Sequence, residues 1–67
     1  MITVGKGVVL SKYARLIQPG EIHFFPIADY PSQNSVTVQV SRASGELFGS
    51  KFTTVSEKEG TYVVRLK

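Results

Sequence analysis

The side chains that could do chemistry are few and scattered. His23 is the single histidine among 67 residues, and there is no cysteine. Glu21 stands two residues before it on one face of an extended segment, and Asp29 lies a loop away. A zinc site without thiolates would need an unusual carboxylate set around that histidine, so no metal is expected. Acid–base work by His23 would need a positioned partner that the spacing does not supply. Ser41 and Ser44 have no histidine in a nucleophile arrangement, and no Gly-x-Ser-x-Gly elbow occurs. Gly5-Lys6-Gly7 lacks the spacing and the Lys-Ser/Thr ending of a phosphate loop, and reads as a turn. No enzymatic activity and no cofactor are expected.

The cations point toward binding. Lysine and arginine number 8 against 5 acidic residues, a net charge of +3, which favours an anionic partner. Gln39, Lys51 and Arg65 are the candidate base readers, because Arg and Lys recognise guanine edges and Gln recognises adenine. Thr37, Ser41 and Thr53 would reach phosphates or bases, and Arg42 and Lys67 would hold the backbone on either side. These residues suit duplex DNA better than single strands, since no aromatic is expected among them for bases to stack on. The expectation is a small regulatory or architectural DNA-binding protein, of a size that suits a virus- or plasmid-borne regulator. The competing class is a protein-interaction module, or an inhibitor of a host protein, working through a sheet edge. Phe25, Tyr30 and Pro31 would be its anchors.

For the cations to act together, the elements must place them on one surface. Ser35 to Arg42 alternates apolar and polar residues without a break, the pattern of a half-buried strand. Glu46 to Val55 and Thr61 to Lys67 follow as two further runs, with Gly45 and Gly60 closing the turns between them. The result expected is a three-stranded antiparallel meander. Val36, Val38, Val40, Phe48, Phe52, Tyr62, Val64 and Leu66 would line its core face. The opposite face would hold Thr37, Gln39, Ser41, Gly49, Lys51, Thr53, Thr61, Val63, Arg65 and Lys67 without a carboxylate, with Lys51 and Arg65 as outward neighbours. A bulge at Gly49 would reverse part of the middle strand.

The amino-terminal half completes the sheet. Met1 to Val4 reads as an edge strand and Glu21 to Ile27 as an extended segment ended by Pro26. Between them, Val9, Leu10, Tyr13, Ala14, Leu16 and Ile17 fall on one arc of a helix that Pro19-Gly20 stops. The fold class is therefore α+β: one small domain over residues 1–67, a mainly antiparallel sheet and one short amphipathic helix. The alternative is an all-β small barrel in which Val8 to Ile17 is a bent strand. A core this small invites a homodimer. Lack of cysteine, of a charged leader and of an 18-residue apolar run points to the cytoplasm.

Overall fold

The computed structural model describes all 67 residues. In chain order the elements are β1 (Ile2–Thr3), α1 (Leu10–Ala14), β2 (Ile22–Pro26), α2 (Gln33–Glu46), β3 (Phe52–Glu57) and β4 (Gly60–Arg65). The strands form one mixed sheet in the order β1-β2-β4-β3, with β1 parallel to β2 and the remaining neighbours antiparallel. Both helices pack on the same face of that sheet. Between them lies a core of Val4, Ala14, Ile17, Phe25, Val36, Val40, Ala43 and Val63. The α+β class stands.

The meander does not. Ser35 to Arg42, expected as its first strand, is the body of α2, so the C-terminal half is a helix followed by a two-stranded hairpin. The alternation of Val36, Val38 and Val40 satisfies a strand, but Val36, Val40, Ala43 and Leu47 also recur at helical spacing. Local capping settles the competition. The Ser32 hydroxyl accepts from the Ser35 N–H at 3.3 Å and starts the helix, and Gly49 at φ 81° turns the chain after it. Gly49 is thus the turn between α2 and β3, and no bulge of the strand. With two helices on one face, the all-β barrel also falls.

The first helix covers only the middle of the span expected for it. No side chain caps it at Val9, and tighter turns carry the chain from Tyr13 to Ile17. Ala14 and Ile17 are buried as the helical arc requires, whereas Val9 and Leu16 remain exposed. Small side chains matter where the helices meet: Ala14 and Ala43 are both buried, and α1 lies against α2.

Strand register decides which residues the helices cover. Phe25 stands opposite Thr61, His23 opposite Val63, and Thr54 opposite Val63 on the other side. Directly opposed residues share a face. His23, Phe25, Thr61, Val63 and Arg65 therefore face the helices, and Ile22, Phe24, Tyr62 and Val64 face away. The faces of β4 are the reverse of those expected from sequence, which had Tyr62 and Val64 in the core and Thr61, Val63 and Arg65 outside. Val38 and Leu66 are also exposed, and Phe48 is wholly so. Phe52 keeps its expected place against the core.

Gly60 and Gln33 fasten the layers. A Cβ on Gly60 would strike the Phe25 carbonyl oxygen and lie 2.8 Å from the Phe24 ring, so only glycine fits beneath that ring. The Gln33 amide donates to the carbonyls of Glu57 at 2.6 Å and Gly60 at 3.1 Å, tying the start of α2 to the β3–β4 turn. No helix is long and apolar enough to cross a membrane.

Candidate functional site

The histidine has partners after all. Its Nε2 lies 3.2 Å from the Glu21 carboxylate and its Nδ1 lies 2.8 Å from the Tyr13 hydroxyl. A carboxylate can only accept, so in the neutral ring Nε2 carries the proton and Nδ1 accepts from Tyr13. Strand alternation brings Glu21 near His23, and α1 supplies Tyr13 from across the layer. Spacing alone hid this partner, because Tyr13 is ten residues away in sequence. Desolvation raises the Tyr13 pKa above its ordinary value, with the Glu21 charge adding to the effect, so the phenol is held neutral. Donation from the Gln18 N–H lowers the Glu21 pKa first, and His23 lowers it further. Both ring nitrogens are engaged, and His23 is buried.

The predicted DNA readers do not share a surface. Thr37, Gln39, Ser41 and Arg42 belong to α2. Ser41 and Arg42 are exposed on its outer side and Gln39 borders it, while the Thr37 hydroxyl is spent on the Gln33 carbonyl at 3.1 Å. Lys51 and Thr53 lie on the open sheet face: Lys51 exchanges backbone hydrogen bonds with Leu66 and Lys67, and Thr53 stands opposite Val64. Arg65 lies on the other face, opposite Phe52. Its guanidinium donates to the Ile17 carbonyl at 2.8 Å and stands 5.6 Å from the Phe52 ring centre. Lys51 and Arg65 are therefore separated by the sheet, and the carboxylate-free face does not exist. Lys67 is exposed at the chain end.

The predicted protein anchors are also redistributed. Phe25 is a core residue, 1% exposed. Tyr30 meets the Phe25 ring edge-on at 5.1 Å and donates to the Gly5 carbonyl at 2.7 Å, pinning its loop to the β1–α1 connection. Pro31 alone of the three is exposed.

Two surfaces emerge in their place. The β1–α1 connection, α1 with its cap, and α2 carry Lys6, Lys12, Arg15 and Arg42 against Glu46 alone, four cations less one acid, or +3. Elsewhere Lys51, Lys58, Arg65 and Lys67 cancel Glu21, Asp29, Glu57 and Glu59, four against four. The helical side thus holds the whole formal net charge. Arg15 pairs with Glu46, which leaves Lys6, Lys12 and Arg42 unpaired. The second surface is the open sheet face. There the Phe24 and Tyr62 rings lie 4.7 Å apart on the two central strands, flanked by Ile22, Val64, Val55 and Leu66. Burial, with the neighbouring Glu59 charge behind it, raises the Tyr62 pKa and keeps the phenol neutral.

Comparison with protein-family models, curated proteins and solved structures gives no match.

Proposed function

We propose that the protein is a non-enzymatic, duplex-DNA-binding protein that uses the outer side of its helical layer. The observation carrying this reading is that the β1–α1 connection and the two helices hold the entire +3 charge, with Asn34, Ser41 and Arg42 exposed on α2 around Val38. A helix fits the major groove, where Arg42 would meet guanine and Gln39 adenine. Lys6 and Lys12 would hold the phosphate backbone, with Ser41 beside Arg42 as a further phosphate donor. The non-enzymatic part of the reading rests on His23, whose two ring nitrogens are occupied by Tyr13 and Glu21 beneath the helices.

Fluorescence anisotropy with a labelled duplex, repeated over a salt series, tests it. Two lysine–phosphate contacts predict a log–log salt slope of about −2. Lys12→Ala/Arg42→Ala should weaken binding, lower that slope by about one and relax any preference for guanine, with the melting temperature held. Binding that is absent at low salt, or unchanged in the double variant, overturns the reading.

A further inference from the structure

The open sheet face needs an occupant. Ile22 is 42% exposed, Val55 46% and Leu66 53%, and they continue the half-buried row of Phe24, Tyr62 and Val64. Together they form one contiguous apolar surface across β2, β4 and β3, of the kind that marks an association site. Its ends, moreover, differ in charge. Glu57 lies on this face opposite Gly60, and the adjoining turn adds Glu59 and Lys58, so this end is net acidic. Lys51 lies on it at the far end of the same strand run, opposite Leu66 and beside the terminal Lys67.

We infer that the occupant is a second copy of this chain, packed sheet face to sheet face with its strands running the opposite way. Two orientations of a two-fold dimer bring these faces together. With the axis along the strands, β3 of each copy lies over β1 of the other, so Glu57 and Glu59 stand at the same end as their counterparts and meet no lysine. With the axis across the strands, β3 lies over β3 in reverse, and Glu57 of each copy meets Lys51 of the other. Only the second orientation is complementary, because a surface acidic at one end and basic at the other matches itself when turned end for end. It also sets the Phe24–Tyr62 row over the Ile22–Val64 row of the second copy, aromatic upon aliphatic.

The area agrees with a modest dimer. The strands hold 2, 5, 6 and 6 residues, and at about 4.8 Å by 3.3 Å each they give a face of about 300 Å² in projection. With side-chain relief, two such faces bury on the order of 1,000 Å² in total, the threshold for a specific interface. The dimer should accordingly dissociate on dilution.

Sedimentation equilibrium over a wide range of concentration is the test. The wild-type chain should pass from the monomer mass to twice that mass, and Ile22→Lys should weaken association roughly 30-fold or more while the circular dichroism spectrum is kept. Lys51→Glu and Glu57→Lys should each weaken the dimer, and the double exchange Lys51→Glu/Glu57→Lys should restore it. A wild-type chain that stays monomeric at millimolar concentration overturns the inference, as does a dimer indifferent to Ile22→Lys. A double exchange that fails to restore association overturns the reversed orientation. Binding of an oligothymidine to a monomeric chain, abolished by Tyr62→Ala, would assign the face to single-stranded nucleic acid instead. None of these outcomes touches Lys12 or Arg42, so duplex binding stands or falls separately.

Discussion

The two faces of this sheet solve the same burial problem in different ways. One is closed by helices of the same chain, so its side chains are small or fitted: Thr61, Val63, Phe25 and the guanidinium of Arg65. The other keeps larger groups, Tyr62, Phe24 and Ile22, with nothing in the chain above them. The consequence is a division of charge as well as of apolar surface. Cations gather outside the helices, while the open face is neutral along its length and charged only at its ends. A chain this short forms one small core, and what remains apolar is left for association.

Adjacent residues on β2 make the sharpest test of that contrast. Phe25→Ala empties the core and should cost about 3–5 kcal/mol, enough to leave little folded protein. Phe24→Ala, one residue away on the open face, should cost about half as much or less in dilute protein. Equal shifts in the denaturation midpoint would erase the distinction between the faces. A smaller effect is expected from the cations. Arg65→Ala loses a charged hydrogen bond to Ile17 and its packing on Phe52, and should cost about 1–3 kcal/mol. Lys51→Ala should leave the monomer's melting temperature in place.

Glu21 gives a pH effect. Its folded pKa is lowered by the Gln18 N–H and by His23, so its contribution is present above the unfolded pKa and is lost as pH falls through the lowered folded value. The melting temperature should decline across the acid end of the carboxylate range, and Glu21→Gln should flatten that decline. The smallest effect carries the opposite sign. The Thr61 hydroxyl is buried without a partner, so Thr61→Val should hold the melting temperature or raise it slightly.

Much of the framework could be read in residues. Pro19-Gly20 marks the stop after α1, Pro26 the end of β2, and Glu57 to Gly60 the hairpin turn. The β1 edge strand was legible too. Two features were not. In Ser35 to Arg42 three alternating valines imitate a strand, and the helix shows only when Ala43 and Leu47 extend the spacing and Ser32 is recognised as a cap. In β4 the aromatic and aliphatic set looked like the core because apolar size suggests burial. The face was fixed instead by pairing with β2, where Phe24 and Phe25 are equally apolar and give no hint of which turns inward. The site residues inherited both errors. Gln39, Ser41 and Arg42 remain near one another, but on a helix, and Arg65 is withdrawn as a clamp. Tyr13 was missed because its link to His23 exists only through the crossing of α1 over the sheet.

The placement of both helices on one side of the sheet has a consequence for valence. Two copies joined through their open faces would stack as helix, sheet, sheet and helix, with layers about 10 Å apart. The two α2 helices would then stand about 30 Å apart and look in opposite directions. Such a particle could not lay both helices along one side of a duplex to straddle a palindrome. It would have one grip at each pole, and its natural geometry would be that of a rivet holding two DNA segments side by side.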